Sequence, residues 1–107
     1  MAAADKSLIL VIDDDDIVRA TSMAILKKGG YQAVDAANVA EGLRVFSRLR
    51  PAGVLLDLRL PDGTGIDVLR ALQREAPGTP VVVVSGVGTV SEAVEAMRVG
   101  AAISINW

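Results

Sequence analysis

The sequence lacks cysteine and histidine altogether, and it has only one Phe, one Tyr and one Trp among 107 residues. Without cysteine there are no disulfides and no thiolate chemistry, and without histidine there is no imidazole catalysis and little scope for zinc. So few aromatic rings offer no platform on which nucleic-acid bases could stack. Any chemistry must therefore come from carboxylates, hydroxyls, backbone groups and a hard cation.

Long hydrophobic runs and a basic surface are missing too. The formal net charge is −2 with no basic stripe, so we expect no direct binding of nucleic acid. The apolar run Leu8–Ile12 is too short for a signal sequence, is followed by acids, and no run spans a membrane. The default expectation is a cytoplasmic protein. Hydrophobic residues make up 51% of the chain, which is enough for the core of one small domain.

Short apolar runs alternate with helical patterns along the chain. Continuous runs predict buried strands at 8–12, 52–57 and 80–85, an alternating run at 31–37 predicts a strand nearer an edge, and a short fifth strand is expected near 101–105. Helices are predicted between the runs. The first covers Asp16 to Lys28, and the later ones begin near Asn38, Thr64 and Thr89, the last of them ending at Gly100. This alternation predicts an α/β domain with right-handed crossovers and a parallel sheet.

The first two predicted helices each carry apolar residues on one face. Ile17, Ala20, Ala24 and Ile25 give the first helix one apolar stripe, whereas the second carries Val39, Leu43, Phe46 and Leu49 on one face. Both stripes are expected to belong to helices that pack on a sheet of branched residues.

Polar side chains follow the buried runs at the points where the strands should end. Asp13 and Asp14 follow the first strand, Asp57 ends the third and Ser85 ends the fourth. In open parallel sheets, ligands bind beyond the carboxyl ends of the strands. Three carboxylates at one edge predict a site for Mg²⁺, and a carboxylate beside such a cation can act as a nucleophile towards a phosphoryl group.

The four consecutive aspartates of "LILVIDDDD" are not expected to share one role. Asp15 and Asp16 lie where the first helix should start, and an acid there accepts backbone N–H bonds and complements the helix dipole. We therefore interpret them as structural, and assign only Asp13 and Asp14 to the metal site.

Four stretches resemble the receiver domain of bacterial two-component response regulators: "VIDDDDIVR", "VLLDLRLPDGTGIDVL", "VVVVSG" and "VGA". They match that family in order and spacing from about Leu8 to Ala101. The resemblance implies a doubly wound, flavodoxin-like α/β fold with a five-stranded parallel sheet of order 2-1-3-4-5 and helices on both faces.

The resemblance also implies a role for each matching residue. Asp57 would be the phosphoacceptor, and Mg²⁺ would be held by Asp57, by Asp14, by Asp13 through water, and by the backbone carbonyl of Arg59. Ser85 would be the switch hydroxyl that turns towards the phosphoryl group, with the backbone of Gly86 also contacting the phosphate.

The same resemblance implies partners and an activity. A sensor histidine kinase would donate the phosphoryl group, and the receiver would catalyse its own phosphorylation and dephosphorylation in a phosphorelay. An effector domain or downstream partner, absent from this chain, would give the output, and the sequence style resembles that of transcriptional regulators.

Departures from the family pattern lie at the end of the chain, which reads "GAAISINW". Ser104 stands at the aromatic switch position, Trp107 stands where the family has a lysine, and no lysine follows Lys28. We expect residues 1–107 to be a single receiver domain with a disordered tail at 1–6. Its end after Ala101 is expected to be truncated or altered, and the fifth helix of the family is expected to be missing.

Two consequences are expected from these departures. Phosphorylation at Asp57 should be impaired, because the lysine would supply a cation to the phosphoryl oxygens. One flank of the sheet and the first helix should also stay uncovered, and this exposed C-terminal face would allow a homodimer to form.

Two rival functions remain at this stage. A degenerate receiver could act as a phosphorylation-independent interaction module, a hypothesis that rests on the missing lysine. A haloacid-dehalogenase-like phosphatase also uses an aspartate nucleophile with Mg²⁺, and "DGTG" echoes its signature. That family, however, needs D-x-D-G-T after its first strand, whereas here Asp57 is followed two places on by Arg59.

Overall fold

The computed structural model describes residues 8–85, 94 and 98–106, and for residues 85 and 103–106 it describes the backbone alone. Strands and helices alternate through the described part of the chain. In chain order they are β1 (Leu8–Ile12), α1 (Asp16–Lys28), β2 (Gln32–Ala36), α2 (Val39–Leu49), β3 (Gly53–Leu56), β4 (Arg59–Leu60), β5 (Gly63–Thr64), α3 (Gly65–Glu75), β6 (Val81–Ser85) and β7 (Ile103–Asn106).

The main sheet confirms the predicted fold class. Five strands lie in the order β2-β1-β3-β6-β7, and every neighbouring pair is parallel. β2 is an edge strand, as its alternating sequence predicts. The register places Ile12 beside Leu56 on one side and beside Ala36 on the other, so the carboxyl ends of these strands are level. Residues following these strands therefore meet at one edge.

Two details of the strands differ from the prediction. The last strand begins at Ile103 rather than near Ala101. A small antiparallel ribbon, β4 with β5, forms within the segment "RLPDGT" and was not predicted, because two-residue strands are too short to show a period. This ribbon lies between Asp57 and the start of α3.

Side-chain caps start the helices where the sequence indicates. Asn38 accepts a hydrogen bond from the backbone N–H of Glu41, whose carboxylate in turn accepts one from Ala37 at 2.8 Å. Thr64 and Asp67 form a reciprocal capping box at the start of α3. These caps satisfy N–H groups that have no partner within the helix.

One face of the sheet packs against α2 and α3 and contains the core. The largest fully buried side chains all belong to this layer: Phe46, Leu10, Ile12, Leu56, Leu69, Leu72, Val54, Val68, Val81 and Val83. The apolar stripe predicted for α2 faces this core, with Phe46 fully buried at its centre and Leu49 exposed at its end.

The apolar stripe predicted for α1 is largely uncovered. Ile17 is 78% exposed and Ile25 is 66% exposed, and α1 contains no fully buried residue. Both isoleucines border an open groove between α1 and the sheet, which the half-buried Val18, Ser22 and Leu26 also line. The prediction of the helix is confirmed, and Ile17 and Ile25 of its stripe lie at this open groove.

The helix predicted to begin at Thr89 lies mostly outside the described residues. Arg98 and Val99 are helical, and Gly100 follows them with a φ of +136°. A glycine at positive φ is a common helix stop, so the predicted end of this helix at Gly100 is confirmed.

Candidate metal centre

Three aspartates come together at the carboxyl ends of β1 and β3. One carboxylate oxygen from each of Asp13, Asp14 and Asp57 lies within 4.8 Å of the other two. Asp14 is exposed, whereas Asp13 and Asp57 are partly buried. The structure therefore brings together the three acids that the sequence singles out.

Backbone hydrogen bonds fix two of these aspartates to the sheet. The N–H of Asp13 donates to the carbonyl of Ala36 at 3.1 Å, and the N–H of Asp57 donates to the carbonyl of Ile12 at 2.9 Å. Each bond extends the strand ladder by one residue beyond β1 or β3. The two side chains consequently start from positions that are held as firmly as the strands themselves.

The loop that follows Asp13 separates the metal site from the helix start. Oδ1 of Asp13 accepts the backbone N–H of Asp15 at 2.9 Å. Asp15 in turn caps α1, accepting the N–H groups of Ile17 and Val18. This confirms the structural interpretation of Asp15, and Asp16 occupies the first turn of the helix.

No side chain fits between the start of α3 and the backbone around Asp57. Oδ1 of Asp57 accepts the N–H of Arg59 at 3.2 Å, and the N–H of Gly65 donates to the carbonyl of Leu58 at 2.9 Å. A Cβ on Gly65 would stand 2.5 Å from the carbonyl oxygen of Asp57, closer than real Cβ atoms approach. The start of α3 thus packs directly on the backbone that carries Asp57.

Asp62 anchors the β4–β5 ribbon to a different helix. Its two carboxylate oxygens accept the N–H groups of Val39 at 2.7 Å and Ala40 at 3.1 Å, which belong to the first turn of α2. These hydrogen bonds hold the pKa of Asp62 below the ordinary 3.8. No sequence pattern predicts this contact, because an aspartate in a Pro-Asp-Gly turn ordinarily accepts hydrogen bonds from the backbone of its own turn.

Crowding and burial disfavour the charges of the cluster. The pKa of Asp57 is raised, first by burial and then by the nearby charges of Asp13 and Asp14. The pKa of Asp13 is likewise raised, first by burial and then by the nearby charges of Asp14 and Asp15. Two partly buried carboxylates with raised pKa values, close to the carboxylate of Asp14, suit a hard divalent cation, which prefers oxygen ligands. The donor set therefore fits Mg²⁺.

The other predicted site residues are placed only in part. By register, Leu56 of β3 pairs with Val83 of β6, so the backbone of Ser85 reaches the same edge as Asp57. Arg59 begins β4 and is bound through its N–H to Asp57, while its predicted carbonyl contact to a metal stays a prediction. The roles of Ser85 and Gly86 also stay predictions, and Gly86 and Trp107 lie outside the described residues.

Comparison with known proteins identifies the family. The family model "Response regulator receiver domain" matches residues 9–106. The chain therefore belongs to the receiver-domain family of two-component response regulators, and the predicted family is confirmed.

A curated relative and two solved structures illustrate the similarity. The photosynthetic apparatus regulatory protein RegA of Rhodovulum sulfidophilum is 41% identical over 91% of this chain and 52% of its own length. A CheY-like receiver from Methanospirillum hungatei JF-1 superposes with a TM-score of 0.89 at 29% identity, covering 94% of this chain and 80% of that one. A Burkholderia pseudomallei response regulator, solved with a phosphorylated aspartic acid, a calcium ion and citrate, gives 0.88 at 26% identity, covering 94% and 59%.

The matched relatives extend well beyond this segment. The chain spans about half the length of the curated regulators RegA and of ActR from Rhizobium meliloti, which is 36% identical. Within the described residues, no helix is long and apolar enough to cross a membrane.

Proposed function

We propose that the chain accepts a phosphoryl group on Asp57 from a phosphorylated histidine of a sensor kinase, in a Mg²⁺-dependent reaction. The observation that carries the proposal is the gathering of carboxylate oxygens from Asp13, Asp14 and Asp57 within 4.8 Å. The related Burkholderia pseudomallei regulator, which holds a phosphorylated aspartic acid and a calcium ion, supports it. The proposed ligands are Asp57, Asp14, Asp13 through water, and the carbonyl of Arg59.

The proposed step is an in-line transfer between two nucleophiles. A carboxylate oxygen of Asp57 attacks phosphorus and forms a P–O bond while the P–N bond of the phosphohistidine breaks. The electron pair returns to the imidazole nitrogen, which takes up a proton. Mg²⁺ bound by the carboxylates supplies positive charge that offsets the charge on the phosphoryl oxygens. Later attack of water on phosphorus releases inorganic phosphate and restores the carboxylate.

A switch at the neighbouring strand completes the proposal. Ser85 donates its hydroxyl to a phosphoryl oxygen, together with the backbone N–H of Gly86, and this favours one of two arrangements of the loop 86–89 and the helix after it. Support comes from the register of β3 and β6, which brings the backbone of Ser85 to the edge that carries Asp57. The altered surface, formed by that helix and β7, would then be read by a partner.

We propose further that residues 1–107 form one receiver unit of a longer cytoplasmic regulator. The remaining part of that regulator would carry the effector function, because the curated relatives are about twice as long as the matched segment. The names of RegA and ActR, both regulatory proteins, are consistent with an output in transcription.

Intact-mass measurement after incubation with Mg²⁺ and acetyl phosphate tests the proposal. We expect the mass of one phosphoryl group to be added, stable to acid and labile to base, and to be abolished in Asp57→Asn. Glu75→Gln is the matched control, because it removes an exposed acid at the end of α3 far from Asp57, where it contacts Ser47 at 3.2 Å and Arg50 at 3.4 Å. No adduct at saturating donor would contradict the proposal, and turnover of phosphate esters would favour a phosphatase instead.

A second candidate function rests on the sequence at the end of the chain. Trp107 stands at the position of the family's lysine, and no lysine follows Lys28. A receiver that lacks this cation would act as a phosphorylation-independent interaction module. Binding of beryllofluoride in the presence of Mg²⁺, followed by ¹⁹F NMR, separates the two functions. A site that is competent for phosphoryl transfer should give a signal from bound fluoride, whereas a phosphorylation-independent module should give none.

We also propose that the chain forms a homodimer through the face on which α1 leaves the sheet partly uncovered. An apolar groove of about 380 Å³ runs between α1 and the sheet, lined mainly by Val18, Ile25, Leu26, Leu55 and Val84. Exposed apolar patches of this kind mark association surfaces.

The charges of α1 favour a second copy as the occupant of this groove. Asp16 lies in its first turn and Lys27 and Lys28 in its last, so two antiparallel copies of α1 would pair opposite charges at both ends. Thr21 lies midway between the exposed Ile17 and Ile25, and would sit near the two-fold axis. Because the chain has no cysteine, Thr21→Cys should form a disulfide-linked dimer under mild oxidation, and Ser47→Cys on α2 should not. Equal cross-linking of both variants would contradict this interface.

A further inference from the structure

The guanidinium of Arg19 joins three parts of the molecule next to the aspartate cluster. Nη1 donates to the backbone carbonyl of Asp13 at 2.8 Å, Nη2 to Asp16 at 2.7 Å and Nε to Asp35 at 2.9 Å. The side chain is only 16% exposed, although Arg19 lies on the outer helix α1. It therefore ties together the β1–α1 loop, the first turn of α1 and the edge strand β2.

The bond to the carbonyl of Asp13 bears directly on the metal site. That carbonyl belongs to the planar peptide unit between Asp13 and Asp14, so holding its oxygen restrains the rotation of the whole plane. The N–H of Asp13 is held at the same time by the carbonyl of Ala36 at 3.1 Å. The two acids on either side of this peptide unit therefore start from a restrained backbone.

The helix itself does not require this arrangement. Asp15 already caps α1 by accepting the N–H groups of Ile17 and Val18. The ion pair with Asp16 is an exposed contact at i,i+3, which contributes little to stability. By contrast, the bond from Arg19 to the Asp13 carbonyl links the helix to a residue of the site.

A lysine could not reproduce the three contacts. The guanidinium presents its donors in a fixed planar fork, so it reaches a carbonyl and two carboxylates lying in different directions. An ammonium group would keep the charge near Asp16 and Asp35 but has a single nitrogen. Substitution of Arg19 by lysine therefore removes the fork geometry and keeps the positive charge.

We propose that Arg19 is a positioning residue for the metal and phosphoryl site, which holds the Asp13–Asp14 peptide unit so that both carboxylates stay within ligand distance of Asp57. Arg19 does not contact the metal or the phosphoryl group. It acts through Asp13, in the way that groups behind metal ligands orient those ligands. The inference rests on the proposed function only in so far as these acids bind Mg²⁺.

Calorimetric titration of the full chain with Mg²⁺ tests the proposal, using Arg19→Lys and the control Arg44→Lys. Arg44 is an exposed arginine on α2 that lies 4.0 Å from Glu41. We expect Arg19→Lys to weaken Mg²⁺ binding about 10-fold, the size typical for loss of an orienting group. Arg44→Lys should change it less than about 2-fold, which is within the scatter of surface substitutions. Circular dichroism at the same temperature confirms that both variants are folded.

Separate outcomes decide the two proposals. Rates of phosphorylation by acetyl phosphate should fall in Arg19→Lys at low Mg²⁺ and recover at saturating Mg²⁺, because positioning affects ligand binding and leaves Asp57 in place. An unchanged Mg²⁺ affinity in Arg19→Lys overturns the role of Arg19, even if its stability falls. A wild-type chain that binds Mg²⁺ but gains no phosphoryl group overturns the proposed function alone.

Discussion

The two faces of the sheet use similar residues but are covered differently. On the face packed by α2 and α3, alternate strand residues are fully buried: Leu10, Ile12, Val54, Leu56, Val81 and Val83. On the face towards α1, Val11 is buried, but four other apolar strand residues are only half-buried: Ile9, Leu55, Val82 and Val84. We call these the sealed face and the open face. One strand thus passes through two environments at successive residues.

This difference shows where stability and function reside. Apolar burial, and with it most of the stabilising free energy, is concentrated on the sealed face. The aspartate cluster lies at the edge common to both faces and is held by backbone bonds such as that from the N–H of Asp57 to Ile12. The geometry of the site therefore depends on the strands and their loops more than on what covers the open face.

Substitution of two neighbouring leucines gives the largest expected effect. Leu56→Ala removes a side chain that is 1% exposed on the sealed face, and should lower the free energy of unfolding by about 2–5 kcal/mol. Leu55→Ala removes the same atoms from the open face and should cost about 1 kcal/mol, because this side chain remains partly in water. Urea unfolding followed by circular dichroism measures both.

The pair of variants serves as its own control, since residue type, strand and size of the change are the same. Equal losses would break the comparison, because they would mean that the open face is packed as tightly as the sealed one. A far larger loss at Leu56 would sharpen it.

A glycine pair tests whether tight packing extends from the sealed face to the site. Gly65→Ala would place a Cβ 2.5 Å from the carbonyl oxygen of Asp57, so we expect a loss of about 1–3 kcal/mol and slower phosphorylation. Gly78→Ala is the control, because a Cβ there meets no atom within 4 Å. Urea midpoints and intact-mass time courses measure the two effects. Normal stability in Gly65→Ala would show that α3 can shift away from Asp57 at little cost.

Much of the fold and the acidic half of the site follow from sequence patterns. Continuous branched runs predict strands buried in a parallel sheet, and strand ends predict where ligands bind. Asp13, Asp14 and Asp57 could be grouped on this basis, since parallel strands deliver their carboxyl ends to one edge. Asp15 could be assigned as a cap because its position before the helical pattern has a local physical meaning.

Contacts between distant segments could not be predicted in this way. Periodicity gives α1 an apolar stripe but does not show whether anything covers it, and the expectation that the first helix is uncovered came from the family resemblance alone; Ile17 and Ile25 are indeed exposed. The three partners of Arg19 come from a loop, a helix and a strand, and only the folded backbone brings them together. Asp62 accepts from Val39, which lies 23 residues away, and no spacing rule relates the two.

The contact of Asp62 with α2 gives the smallest expected effect, and one that depends on pH. Since the pKa of Asp62 is below 3.8 in the folded chain, the unfolded chain binds the proton more readily. The ionised carboxylate therefore stabilises the fold above about pH 3.8, and this contribution is lost as the pH falls through the lower folded pKa. Asp62→Asn should accordingly unfold at lower urea concentration than the wild type at pH 7, with a difference that shrinks towards pH 3.

Salt separates this charge effect from a loss of turn geometry. Asp62 is fully exposed, so 1 M NaCl should reduce the difference between wild type and Asp62→Asn at pH 7 by screening the attraction to the helix N-terminus. Glu75→Gln removes an exposed acid from the C-terminal end of α3, where, within the described residues, it accepts no hydrogen bond from a helix N-terminus. Its effect on stability should therefore not show this dependence on pH. A difference that stays constant with pH and salt would mean that Asp62 acts through the shape of its turn. In that case the ribbon after Asp57 would be held by packing, as on the sealed face, rather than by charge.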